Sequence, residues 1–168
     1  MTIANNFLLY FNKEMFSPYY RCKIKFPSIE LPLFTCNSVL HAFELSKLIF
    51  FGNYDKLFFA ASMKFPKECI QAGYDIPNYN SVLWRNVKQS IMYQIEFQKY
   101  LQNKDLQMKL ISDAYKDIEF VYTNPLDSFW GIGTGEYTST ALHKDQWNGK
   151  NIHGQIIKQV REDIIRTL

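Results

Sequence analysis

Asn124-Pro125-Leu126-Asp127-Ser128-Phe129-Trp130-Gly131-Ile132-Gly133 sets a single carboxylate three residues before a tryptophan that runs straight into glycine-spaced backbone. Asn-Pro opens a turn, and Gly131, Gly133 and Gly135 permit positive φ or close backbone approach, so a shaped loop is expected to present Asp127 and Trp130 to a cavity. Ahead of it, Asp117 to Thr123 alternates Ile118, Phe120 and Tyr122 against Glu119 and Val121, the period of a strand. Behind it, past a Gly/Thr/Ser-rich segment, Ile152, Ile156, Ile157, Val160 and Ile164 recur at helical spacing, with Asn151 as the expected cap. An acid beside a flat aromatic suits a ligand that carries a ring and a sugar.

On the N-terminal side, β-like runs fall at Leu8 to Phe11, Arg21 to Phe26 and Leu31 to Thr35, separated by Pro18, Pro27 and Pro32, and together they predict a small sheet. Asn37 or Ser38 caps a helix on which Val39, Leu40, Phe43, Leu48 and Ile49 recur until Gly52. Shorter helices are expected from Asp55 to Ser62 and from Pro66 to Ala72, then a loop from Gly73 to Asn80. Ser81 is read as the cap of the longest helix, whose Val87, Ile91 and Ile95 lie four apart, with Leu83, Met92 and Leu101 widening the buried face. Leu106 to Asp113 continues as a shorter helix. The expected fold is α+β: one domain over residues 1–168, mostly helical, with a small β-sheet and no internal repeat.

A hydrophobic content of 47% at this length argues for a packed globule, and the net charge of +3 is scattered, so no basic stripe marks a nucleic-acid or membrane surface. Cys22, Cys36 and Cys69 are odd in number and irregular in spacing, which fits free thiols in a reducing compartment. There is no basic leader, and no apolar run approaches the ~18 residues that span a bilayer, so the chain is expected to be cytoplasmic and not membrane-bound. No serine-histidine-aspartate array and no dense histidine-carboxylate cluster is present, so neither a metal nor a cofactor is expected. Gly131-Ile132-Gly133-Thr134-Gly135 lacks the strand-to-helix context of a dinucleotide-binding turn.

The Asp127 segment resembles the Asp-x-x-Trp-Gly-x-Gly element of the NADAR family, the YbiA-like N-glycosidases. The resemblance extends from about Phe16 to Arg161. Phe16-Ser17-Pro18-Tyr19 is similar to the family's Phe-Ser-Asn-Phe, Trp84-Arg85-Asn86-Val87-Lys88 with Met92 to its tryptophan helix, and Lys99-Tyr100 to a Lys-Phe pair. Gly149-Lys150-Asn151-Ile152-His153-Gly154, with Arg161, is similar to its closing Asn-x-x-Gly and arginine. The family's first long helix begins Ser/Thr-x-Glu-His, with a lysine seven residues after the glutamate. Ser38-Val39-Leu40-His41 and Lys47 fit that frame, so Leu40 stands where the glutamate is expected, and Pro18 replaces an asparagine.

The resemblance implies cleavage of an N-glycosidic bond, which builds positive charge on the sugar and negative charge on the departing base. Lys47 corresponds to a lysine thought to form a Schiff base with opened ribose, Asp127 would steady the cationic sugar, and Trp84 and Trp130 would hold the base. Glu44, one turn from Leu40, is a substitute acid, although ~5.4 Å along the helix is too far to reproduce the lost geometry unaided. His41, Gly131 and Asn151 complete the expected ligand contacts, Asn151 through backbone donors at a helix start. Lys150, Arg85 and Arg161 are further phosphate candidates.

The bland readings stand beside these. Asp127 would cap its turn, both tryptophans would fill the core, His41 would be a satisfied helix residue, and Glu44 would pair with Lys47 at the surface. The implied ligands are an ADP-ribose-like or ribose-phosphate small molecule, namely a phosphoribosylated riboflavin intermediate or ADP-ribosylated guanine, the latter also as part of a nucleic acid. The alternative function is a catalytically impaired protein that sequesters such a ligand, and a third reading is an interaction module. The enzyme and sequestration readings both expect the acidic turn and the indoles to converge on one hollow, whereas the interaction module would have none.

Overall fold

Two adjacent asparagines with left-handed backbone, Asn5 (φ 50°) and Asn6 (φ 64°), reverse the chain at its start. They join the first two strands in a tight hairpin of the kind that needs positive φ at both turn residues. The computed structural model describes residues 2–26 and 34–168. Its elements run β1 (Thr2–Ala4), β2 (Phe7–Tyr10), β3 (Ile24–Phe26), β4 (Phe34–Cys36), α1 (Val39–Phe50), α2 (Tyr54–Ala61), α3 (Pro66–Ala72), α4 (Ser81–Gln102), α5 (Lys104–Leu110), β5 (Glu119–Tyr122) and α6 (Ile152–Thr167). Short 3-10 turns lie at Asp113–Tyr115, Ser139–Leu142 and Lys144–Gln146. The fold is the expected helix-dominated α+β, with the strands divided between two sheets instead of one. Pro27 and Pro32, read as turn formers, and the first part of the run from Leu31 lie outside the described residues. The strand there is Phe34–Cys36.

The chain forms two compact units, residues 1–17 with 105–168, and residues 18–104. In the first, the sheet order is β1-β2-β5, with β1 antiparallel to β2 (Thr2 opposite Leu9) and β2 parallel to β5 (Leu8 opposite Phe120). Alternation sends Leu9 and Val121 to a cluster with Ile132 and Ala141, edged by Phe7, Leu142 and Trp147. Tyr10 and Tyr122 go to the other face, where their rings lie 5.9 and 5.2 Å from that of His153 on α6, and the Tyr10 hydroxyl is 2.8 Å from His153 Nδ1. Both faces of β5 are therefore covered, and Val121, read as a polar-side position, is fully buried.

In the second unit, α1 is the central helix, with α2, α3 and α4 around it and β3 paired antiparallel to β4. Ser38 caps α1 by accepting from His41 N at 3.1 Å, and the Pro18 carbonyl accepts from Leu40 N at 2.9 Å, so two donors of the first turn are satisfied. Asn80, not Ser81, caps α4: its Oδ1 accepts from Val82 N and Leu83 N, both at 3.0 Å, and Ser81 is the first helical residue. The buried seam of α4 also differs from the expected one. It runs through Trp84, Met92, Ile95, Glu96, Lys99 and Tyr100, leaving Leu83 and Leu101 exposed. Met92 and Ile95 are buried as expected, but the seam also takes in a fully buried Lys99–Glu96 pair at 3.0 Å, which apolar periodicity alone does not register. Among the described residues no helix is long and apolar enough to cross a membrane.

Candidate functional site

Glu44 and Lys47 lie three residues apart on α1, and both meet Gly73 at the end of α3. The Glu44 carboxyl is pressed against the α-carbon of Gly73 so closely that a β-carbon there would overlap Oε2. Lys47 Nζ donates to the Gly73 carbonyl at 2.7 Å and stands 5.0 Å from the centre of the Tyr79 ring. Glu44 is buried and makes no hydrogen bond or ion pair among the described residues. Loss of hydration pushes its carboxyl up from the ordinary 4.5 to about 7, with the charge of Lys47 pulling the other way. The expected surface ion pair is therefore absent. Both side chains turn inward onto one glycine instead.

Trp84 extends this wall. Its ring lies 5.2, 5.9 and 6.2 Å from those of Phe43, Phe50 and Phe51, and Phe51 in turn sits 5.1 Å from Tyr79. Only 6% of Trp84 is exposed, and its indole nitrogen makes no hydrogen bond among the described residues. Packing is thus the larger part of its role in the unit. His41 has both ring nitrogens engaged: Nδ1 accepts from Asn37 N at 3.3 Å and Nε2 donates to Ala60 O at 2.9 Å, a network that assigns the proton to Nε2. Burial holds its pKa below the usual histidine range. The expectation that His41 donates to a ligand gives way to a brace between α1 and α2, because no ring nitrogen is left over.

In the first unit, Asp127 builds the loop that follows β5. Its Oδ1 accepts from Phe129 N at 2.9 Å and Trp130 N at 2.8 Å, which is the turn-capping arrangement, while Oδ2 has no hydrogen bond among the described residues. Asp127 and Trp130 are both half-buried, and the Trp130 ring meets Phe129 edge to face at 4.9 Å. Gly131 is buried where a β-carbon would come within 2.8 Å of Tyr122 O and 3.0 Å of Asp127 O, so the turn closes only with glycine. Gly133 supplies the positive φ, 66°.

The same loop closes the start of α6. Lys150, Asn151, Ile152 and His153 donate their backbone N–H groups to the carbonyls of Ser128, Gly131, Phe129 and Trp130 at 2.9 to 3.4 Å. Asn151 therefore has no backbone donor to offer an anion. Nor does its side chain cap the helix, because the residue is left-handed (φ 52°). Its amide bridges the open edge of β5, accepting from Tyr122 N at 3.0 Å and donating to Phe120 O at 2.8 Å. Arg161 is likewise committed, donating to Leu110 O at 3.1 Å and Ser112 O at 3.2 Å.

The structure thus groups Glu44, Lys47 and the Trp84 wall within one unit, and Asp127, Trp130, Gly131 and Asn151 within the other. Sequence reasoning missed Gly73, which meets both Glu44 and Lys47, and Tyr79, which faces Lys47. Their only signal was membership of a glycine- and asparagine-containing loop after α3. Among the described residues no group of three histidines, cysteines or carboxylates is placed to hold a metal. Cys36 and Cys69 are buried free thiols, pushed up to about 12 and about 11 by burial.

A 30% identity over 119 residues links the chain to the "N-glycosidase R617" of Acanthamoeba polyphaga mimivirus, covering 70% of this chain and 68% of that protein. The "Protein irg-1" of Caenorhabditis elegans is 30% identical over 82 residues, 49% of this chain and 38% of that one. The NMR structure of the E. coli protein YbiA shares the fold with a TM-score of 0.70 at 19% identity, over 95% of this chain and 86% of that one. The NADAR domain family model matches residues 10–165, nearly the whole sequence, and the chain belongs to that family.

Proposed function

We propose that the protein is an N-glycosidase-type hydrolase acting on ADP-ribose-like or ribose-phosphate N-glycosides. The observation that carries this reading is the Glu44 carboxyl, buried without a hydrogen bond on Gly73 and titrating near neutrality. An acid of that pKa can give a proton to a departing base and take one back at neutral pH. The bond from the anomeric carbon to the base nitrogen breaks, its electron pair leaves on the base, and a proton from Glu44 joins that nitrogen. Water then supplies oxygen to the anomeric carbon and returns a proton to Glu44. Between these two events Lys47 is assigned a transient bond to the anomeric carbon: its neutral amine adds there, a proton passes from that nitrogen to the ring oxygen as the ribose opens to an iminium, and the incoming water hydrolyses the iminium to free the lysine. Asp127 is assigned the stabilisation of the cationic sugar, and Trp84 and Trp130 contacts to the base. The name of the mimivirus relative supports the reaction class.

The test is incubation with ADP-ribosylated guanine and with phosphoribosylated riboflavin precursors, following release of base by mass spectrometry. Turnover that disappears in Lys47→Ala and falls in Glu44→Gln is the expected outcome. Full activity in both variants would exclude this assignment. Leu40, half-buried where the family's glutamate is expected, favours the second reading, a protein that holds such a ligand without cleaving it. Recovery of intact ligand after denaturation, with no free base, would establish that reading instead.

A further inference from the structure

Beside α6 in the first unit lies a cavity of about 440 Å³, lined on its charged side by Lys144, Lys150, Lys158 and Glu119, with Trp147 along its edge. That volume falls in the range of small-molecule sites. Its electrostatics are lopsided. Lys144 is neutralised by Glu119, Nζ to Oε1 at 2.7 Å, whereas Lys150 and Lys158 make no ion pair among the described residues. Two lysines without an ion partner therefore line one hollow.

Most of the helix start is committed here, because the N–H groups of Lys150, Asn151, Ile152 and His153 are spent on the Ser128–Gly131 carbonyls. Selectivity for an anion has to come from the lysines. Their positions are partly set in advance. Gln155 Nε2 donates to the Lys150 carbonyl at 2.9 Å, and Lys158 lies one turn beyond Gly154 on the same side of α6, opposite buried Ile156 and Val160. Lys150 Nζ also stands 5.9 Å from the Phe129 ring centre. Trp147 is fixed by its indole N–H, which donates to Ala141 O at 3.1 Å, and by contact with Phe7 at 5.7 Å. A rigid aromatic edge next to paired cations suits a phosphate group with an organic substituent.

We infer that this cavity is a binding site for a phosphate-bearing ligand, held between Lys150 and Lys158 with its organic part along Trp147. Glu44, Lys47, Trp84, Asp127 and Trp130, the residues given roles in glycoside cleavage, do not line it, although Lys150 and Asn151 are expected ligand contacts on sequence grounds. The test is isothermal titration of the full chain with pyrophosphate, AMP and a short single-stranded oligodeoxynucleotide at 50 and 200 mM NaCl. One saturable site is expected, weakened several-fold by the added salt and at least tenfold in Lys150→Gln/Lys158→Gln. The Glu119→Gln variant, which releases Lys144, should bind several-fold more tightly. Saturation by AMP and pyrophosphate identifies a free phosphorylated compound, and saturation by the oligonucleotide alone identifies a nucleic-acid phosphate. The inference is overturned if no probe saturates, or if Lys64→Gln/Lys67→Gln, the same charge change elsewhere, weakens binding equally. Loss of binding in Lys47→Ala would also overturn it, by assigning the ligand to the other site.

Discussion

Replacing Glu44 by glutamine should make the protein more stable, and by an amount that grows with pH. In the folded chain the carboxyl titrates near 7 and in the unfolded chain near 4.5, so the folded state binds the proton more tightly between those values. Stability is then greatest below pH 4.5, falls as pH rises to about 7, and levels off once Glu44 is ionised in both states. At ~1.4 kcal/mol per tenfold change, the interval corresponds to a ceiling of about 3 kcal/mol. Glutamine mimics the neutral acid at every pH. Urea unfolding of both proteins from pH 4.5 to 8.5 should show nearly equal stabilities at the acid end and a gap of up to about 3 kcal/mol at pH 8. Lys47→Met, which removes the one charge that favours the ionised form, should steepen the loss in the protein that keeps Glu44. A gap that is constant with pH, or widest at low pH, would refute a desolvated carboxyl on Gly73 and with it the proposed acid.

Asp127→Asn keeps an oxygen for the N–H groups of Phe129 and Trp130, so it should melt within ~0.5 kcal/mol of the native protein, whereas Asp127→Ala should lose about 1 kcal/mol, as cap deletions do. If glycosidase turnover survives in Asp127→Asn, the carboxylate only shapes the loop. Asn151→Gly should cost on the order of 3 kcal/mol by leaving Tyr122 N–H and Phe120 O unpaired at the β5 edge. Asn151→Ala should cost about 1 kcal/mol more, because its backbone is left-handed there. Equal melts for the two would remove the backbone part of that account. Gly73→Ala should destabilise by ~1–3 kcal/mol through overlap with Glu44, and Glu44→Ala should relieve most of it. A double-mutant cycle in which the two effects simply add would contradict the packing.

The parts of this protein legible in its sequence are those whose cause is local. Ser38 and Pro66 mark helix starts, the four-residue spacing marks α4, and Asp127 with its glycines marks a built loop, because capping, periodicity and φ are properties of neighbouring residues. The family was legible for the same reason, since its signature is a set of short motifs in order. What depends on residues far apart was not. Asn151 reads as a helix cap and in fact bridges β5, twenty-nine residues back in the chain. The burial of Glu96 and Lys99 turned the seam of α4 away from Leu83, because a charge can enter a core only beside its partner. The chemistry of Glu44 follows the same rule. The sequence supplies a carboxylate three residues from a lysine. Only tertiary burial, with Gly73 from another helix packed against the carboxyl, strips its water and moves its pKa.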